Sequence, residues 1–318
     1  MRVAVIGAGA IGGFLAGALA RAGVEVGVVA RGEHLAAIQR DGLQVRSDLG
    51  NFRVRLDAAS DLRELGGFDV LLLTFKAHQW GPLLEQLEAA AAGGATAVTL
   101  QNGVPFWYVR KPPLHSVDPD GRAGRAFTDA RTIGAVVHVS GNVERAGAVV
   151  QSGGLRYVLG DPRGSPSGAL DALIETFRFA GLKPEEDRDV RATVWLKLVN
   201  NVGLNSVSAL RSMTVRSLLN DRTARGEVRE LMVETLNVGR AMGVVAEADV
   251  DARIEYAARL DDVKTSMLQD LERGRPLELD PIQGAAIELA ARYGVPVPRL
   301  EAAYAALRRL EREGAPHG

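Results

Sequence analysis

Three groups of residues have types and spacings that could do chemistry. The first is Gly7-Ala8-Gly9-Ala10-Ile11-Gly12, a G-x-G-x-x-G that follows a β-branched run, Val3–Ile6, and opens an apolar helical pattern, Ile11–Ala22. That strand–turn–helix context marks a dinucleotide site. The first glycine permits the tight turn, the second lets a pyrophosphate approach the backbone, and the third lets helix and strand pack closely. The helix N-terminus adds free N–H groups and a partial positive charge. Arg31 follows the second apolar run, Val24–Ala30, where an NAD site would carry Asp or Glu for the ribose 2′-hydroxyl. A guanidinium pairs with a 2′-phosphate instead. This favours NADP(H) over NAD(H); the alternative is a surface arginine in an Arg-rich chain.

The second group lies at strand ends. Lys76 closes the apolar run Asp69–Phe75, and Asn102 follows Thr96–Leu100 within Gln101-Asn102-Gly103. Ligands of doubly wound sheets lie outside the carboxyl ends of strands, so both residues are expected near a cofactor. The third group is Lys197, Asn201 and Asn205, spaced i, i+4, i+8 among apolar residues from Trp195 to Leu204. α-Helical spacing stacks them on one face. They form either a polar line through a buried helix, with a lysine that meets a ligand, or a solvated stripe. Downstream, Ser266 and Glu278 offer a hydroxyl and a carboxylate, with a helix cap and a surface acid as the plainer readings.

These residues need elements to hold them. The first half alternates short strands with helical patterns (Glu33–Asp41, Ala77–Ala92), which implies a parallel, doubly wound sheet. Gln44–Ser47 and Phe52–Asp57 are expected as a hairpin. Pro105–Arg131, with four prolines and two glycines, reads as a long mobile or inserted loop, and Ile133–Val139, Val143–Gln151 and Leu155–Leu159 as three strands. Ser167–Ala180 is a further helix. The rest is helical: Arg191–Ser212, Thr223–Met242, Ala246–Leu260, Thr265–Gly274, Ile282–Tyr293 and Arg299–Glu313. The expected fold is α/β: an N-terminal Rossmann-type doubly wound sheet over 1–186, then an all-helical C-terminal domain over 187–318.

Composition narrows the chemistry. The 318 residues carry a net charge of −1, unlike a bare electrostatic nucleic-acid binder, so no nucleic acid is expected as a partner. The absence of cysteine removes disulfides, thiol nucleophiles, Cys-ligated zinc and iron–sulfur clusters, and no metal site is expected. Five glycines interrupt the uncharged Val3–Ala20 stretch, against a signal peptide or spanning helix. The expectation is an unprocessed, soluble, cytoplasmic chain with no membrane segment. Only five of 38 basic residues are lysines: Lys76, Lys111, Lys183, Lys197 and Lys264. Lysine remains where a compact ammonium can release a proton.

Taken in order, these pieces resemble the ketopantoate reductase (2-dehydropantoate 2-reductase) family, which is 6-phosphogluconate-dehydrogenase-like. The motifs are Gly7–Gly12, Arg31, Lys76, Gln101-Asn102-Gly103, Trp195-x-Lys197-Leu198-x-x-Asn201-x-x-x-Asn205 and Ser266-Met267-Leu268-Gln269-Asp270, with Glu278 twelve residues after Ser266. The resemblance implies NADPH-dependent reduction of ketopantoate to pantoate, on the route to pantothenate and coenzyme A. It makes Lys197 catalytic and gives substrate contacts to Asn102, Asn201, Asn205 and Ser266. Gly7, Ala8, Gly9, Ala10, Ile11, Gly12, Arg31, Lys76, Asn102 and Glu278 would contact NADP(H). Two features depart from the family: the irregular 105–131 segment, with Phe106-Trp107-Tyr108 beside the expected site, and Val263, where some members use a polar residue. Both would reshape the pocket for another 2-keto acid. The competing readings are a reductase of such an acid and an NADP(H) sensor without turnover. A homodimer through the helical domain is a further expectation.

Overall fold

The computed structural model describes residues 1–245, 247–259 and 262–313. Ten strands form one mixed sheet: β1 (Arg2–Ile6), β2 (Glu25–Val29), β3 (Leu43–Ser47), β4 (Gly50–Val54), β5 (Asp57–Ala59), β6 (Val70–Leu73), β7 (Thr96–Thr99), β8 (Thr132–Arg145), β9 (Ala148–Gly160) and β10 (Lys183–Glu186). Their order is β4-β3-β9-β8-β7-β6-β1-β2-β5, with β10 beside β9. The part from β5 through β2, β1, β6 and β7 to β8 is parallel throughout. β6 is buried at every residue, as expected of a strand covered on both faces. β1 pairs β2 and β6 at once, with Val3 facing Val26 and Val70, so its carboxyl end delivers Gly7 to the interior of the parallel part of the sheet.

Helices α1 (Ala10–Arg21), α2 (Gly32–Asp41), α3 (Trp80–Ala92), α4 (Arg122–Ala126) and α5 (Gly168–Phe179) belong to the same unit. α1 buries Phe14, Leu15 and Leu19 against Val5, Val28, Val45 and Tyr157. That core holds the glycine turn rigidly at the start of α1.

Three expectations are corrected. Asp57 does not end the hairpin; it begins β5, which pairs β2 in parallel. Two strands replace three after residue 131. Gly141, Gly153 and Gly154, which separate the three expected strands, are absorbed where the β8–β9 register is irregular, and the chain reverses at Gly147, whose φ is +74°. The segment 105–131 is not a bare loop. It contains α4 and a 3-10 turn, and Phe106, Trp107, Tyr108 and Phe127 are each at most 3% exposed. Aromatic burial, invisible to periodicity, holds it.

The chain forms two compact units: Met1–Gln101, Pro105–Arg110 and Gly121–Val190 in one, and Asn102–Val104, Lys111–Asp120 and the residues from Arg191 onward in the other. The sequence division at 186/187 differs by four residues and keeps the two short segments with the sheet. Hydrogen bonds tie both segments to the helices. Val104 N donates to Pro281 O at 2.7 Å, for example.

The second unit is helical: α6 (Val190–Asn200), α7 (Ser206–Arg211), α8 (Val215–Asn220), α9 (Arg222–Ala241), α10 (Val250–Ala258), α11 (Ser266–Glu272), α12 (Ala285–Tyr293) and α13 (Pro298–Glu313). The expected helix Ala246–Leu260 is shorter, and Ala246 and Leu260 themselves lie outside the described residues. Buried Trp195 anchors α6 on α9, its indole Nε1 donating to Thr235 O at 3.1 Å. The expected helix Arg191–Ser212 is interrupted: Asn201–Asn205 is a π-helical turn between α6 and α7. Gly203 permits it, because a Cβ there would lie 2.7 Å from Met232 Cγ on α9. Asp280–Gly284 forms a second π turn before α12. Among the described residues no helix is long and apolar enough to cross a membrane.

Candidate active site

In the α/β unit, the glycine turn has the shape its sequence predicts. Gly7 takes φ +104°, and a Cβ would press on the Phe75 backbone at 3.0 Å. At Gly12 a Cβ would lie 2.0 Å from Gly7 O and 2.3 Å from Thr74 Oγ1. At Gly9, the N-cap of α1, a Cβ would meet no protein atom within 4 Å. The first turn of α1 holds no acidic residue. Open space over an uncompensated helix N-terminus fits a pyrophosphate. Thr74 braces the turn, its Oγ1 donating to Gly7 O at 2.7 Å and lying 3.0 Å from Ile6 O. Sequence reasoning passed over Thr74; a hydroxyl closing an apolar strand was the signal available.

Arg31 is the exposed N-cap residue of α2, two positions beyond Val29, the last residue of β2. Lys76 stands half-buried beyond β6, and its N–H donates to Gln79 Oε1 at 3.1 Å. Gln101 Nε2 donates to Phe75 O at 2.9 Å, fastening the ends of β6 and β7 together. The three aromatics of 106–108 do not line a pocket. They are core, with Trp107 Nε1 donating to Thr99 Oγ1 at 2.7 Å.

The helical unit brings together Lys197, Asn102 and Glu278. Lys197 Nζ donates to Asn102 Oδ1 at 3.0 Å, and Asn102 Nδ2 donates to Glu278 Oε2 at 3.4 Å. The amide thus lies between an ammonium and a carboxylate with its dipole aligned to both. Burial pulls Lys197 down to about 8, and the Glu278 charge partly opposes that. The desolvated ammonium is a far better proton donor near neutral pH than an ordinary surface lysine.

The polar line along the helix is altered by the π turn. Its i→i+5 bonding breaks the α-helical stacking beyond Asn201. Asn201 is half-buried, whereas Asn205 is only 8% exposed. Among the described residues none hydrogen-bonds either side-chain amide, so both are available to a ligand. Ser266 is exposed at the first position of α11 and is not its cap; Thr265 accepts from Leu268 N at 3.3 Å and fills that role. Ser266 therefore keeps its hydroxyl unspent. Val263 is 49% exposed, and its carbonyl accepts from Val215 N at 2.9 Å.

A sheet unit with an open glycine turn and a helical unit with a desolvated lysine define a two-unit oxidoreductase. The family model described as ketopantoate reductase PanE/ApbA matches residues 3–164, and that described as ketopantoate reductase PanE/ApbA C terminal matches 189–311. The chain belongs to the ketopantoate reductase family. It is 38% identical to the 2-dehydropantoate 2-reductase of Mesorhizobium japonicum over 98% of both chains. Among solved structures it is similar to the PanE/ApbA family ketopantoate reductase of Ralstonia eutropha, with a TM-score of 0.86 and 29% identity over 98% of this chain and 99% of that one. It is also similar to the 2-dehydropantoate 2-reductase of Methylococcus capsulatus, with a TM-score of 0.85 and 28% identity over 99% and 98%.

Proposed function

We propose that this protein reduces 2-dehydropantoate to pantoate with NADPH, in pantothenate and coenzyme A biosynthesis, with Lys197 as the proton donor. The observation that carries this reading is the ammonium of Lys197, lowered to about 8 and donating to Asn102 Oδ1 at 3.0 Å. NADPH, when bound, supplies a hydride to the keto carbon. Negative charge then develops on the keto oxygen, where a positioned ammonium stabilises it and gives up its proton. Asn102 holds Lys197 in one rotamer and keeps its acceptor on the ammonium. Asn201 and Asn205 offer amides, and Ser266 a hydroxyl, to the oxygens of the substrate.

On this reading Gly7, Ala8, Gly9, Ala10, Ile11 and Gly12 cradle the pyrophosphate, and Arg31 pairs with the 2′-phosphate that distinguishes NADPH from NADH. Lys76, Asn102 and Glu278 complete the cofactor contacts. The protein acts in the cytoplasm, without a metal, as a homodimer formed through the helical unit; sedimentation tests that last point. The decisive experiment follows NADPH absorbance with 2-dehydropantoate and other 2-keto acids. Turnover of 2-dehydropantoate at the highest kcat/KM is expected. Preference for another 2-keto acid would reassign the substrate, and no oxidation with any of them would end the reductase reading.

A further inference from the structure

Arg253 lies half-buried on α10, and among the described residues no carboxylate pairs with it. Elsewhere the chain pairs its arginines freely. On the same helix, Asp251 and Glu255 accept from Arg229 and Arg225 of α9. Arg253 stands midway between those acids, roughly 200° around the helix from each at 3.6 residues per turn. It is thereby turned away from every acid of its own element. Its one polar partner among the described residues is neutral: Nη1 donates to Asn200 Oδ1 at 3.5 Å, a long contact that leaves most of the fork unspent. Burial alone lowers the Arg253 pKa, with no acid opposing it.

Asn200 is the last residue of α6. It lies three positions from Lys197, hence on the same helix face, and next to Asn201. A cation partly stripped of water and without an anion is costly. Here it stands on Asn200, the chain neighbour of Asn201. The buried, unengaged amide of Asn205 adds a neutral donor.

We infer that Arg253 recognises the carboxylate of the 2-keto acid, as a specificity-determining residue supported by Asn200. The inference rests on the reductase reading for the identity of the anion. Its planar fork suits a bidentate carboxylate.

The test measures binding without turnover. With NADP⁺ present, 2-dehydropantoate and its uncharged primary amide are titrated calorimetrically into wild type and Arg253→Gln. Truncating one partner of a buried charge pair costs 2 kcal/mol or more, about 30-fold in Kd. The wild type should prefer the acid, R253Q should lose about 30-fold on the acid alone, and both proteins should bind the amide and NADP⁺ equally. Arg253→Lys keeps the charge without the fork and should lose an intermediate factor, again on the acid only; it serves if R253Q fails to fold. Equal losses on acid and amide, or an unchanged acid affinity, would overturn the role of Arg253 while leaving the reductase reading intact. A wild type that binds neither compound would overturn both.

Discussion

The two units present polar groups to ligands in opposite ways. In the α/β unit the glycine turn works through backbone: N–H groups at the start of α1, no ionised side chain in its first turn, and open space where Gly9 lacks a Cβ. In the helical unit the polar groups are side chains, and Lys197 is desolvated enough to fall to about 8. Backbone dipoles do not titrate, and an ammonium at about 8 does. The contrast separates binding from chemistry: the first unit should be indifferent to pH, while the second should respond to it. It also separates two kinds of fragility. A turn built from backbone fails when volume is added, and a site built from side chains fails when one functional group is removed.

The largest expected effect breaks the second unit alone. Lys197→Arg keeps a positive charge but holds its proton too tightly to act as the acid. Turnover should fall about 10²–10⁴-fold, the usual contribution of a positioned proton donor. NADPH affinity, read by fluorescence titration, should persist. Near-normal turnover would remove Lys197 from the reaction. The complementary change breaks the first unit alone. Gly12→Val places its Cβ within 2.0 Å of Gly7 O and against Thr74. Overpacking of that kind costs about 1–3 kcal/mol. NADPH should bind roughly 5- to 150-fold more weakly on that basis, while the pH profile at saturating NADPH keeps its shape. An unchanged affinity would mean that the turn does not hold the cofactor.

A smaller effect sharpens the comparison within the first unit. Arg31 is exposed, so a 2′-phosphate there meets a screened guanidinium rather than a buried one. Arg31→Ala should weaken NADPH about 13-fold, the low end of the roughly 1.5–3 kcal/mol expected of a hydrogen bond to a charged group, and leave NADH nearly unchanged. Equal losses for the two cofactors would assign Arg31 to the surface.

What the sequence revealed follows the same division. Gly7–Gly12 could be read from local spacing because its function is local: one turn, one helix start, one strand end. The fold class was legible for the same reason, since the central parallel strands β1, β2, β6 and β7 announce themselves in short, mostly apolar runs. Asn102 and Glu278 are different. They meet Lys197 through tertiary structure, across 95 and 176 residues of chain in the two hydrogen bonds involved, and spacing carries no trace of that. The π turn at Asn201–Asn205 was hidden as well, because an apolar pattern does not distinguish i→i+4 from i→i+5 bonding over five residues. Thr265 and Ser266 show the limit at single-residue scale: both hydroxyls could cap α11, and only the backbone geometry gives the cap to Thr265.

The smallest effect examines why the second unit titrates where it does. Lys197 is lowered by burial and raised by Glu278, and the proton donor is the charged form. At saturating NADPH, reduction should therefore hold level below pH 7 and fall as pH rises through about 8, while oxidation of pantoate, which needs the neutral amine, should rise over the same range. Glu278→Gln removes the group that opposes the shift. The Lys197 pKa then drops below about 8, and the falling limb of the reductive profile moves to lower pH. The loss should be a few-fold at pH 8 and slight at pH 6, where the amine is still protonated in both proteins. A limb that stayed in place would show that Glu278 is too well screened to tune the ammonium. One that moved upward would show that the carboxylate acts on Lys197 through Asn102, whose amide would then be free to turn and accept more strongly from the ammonium.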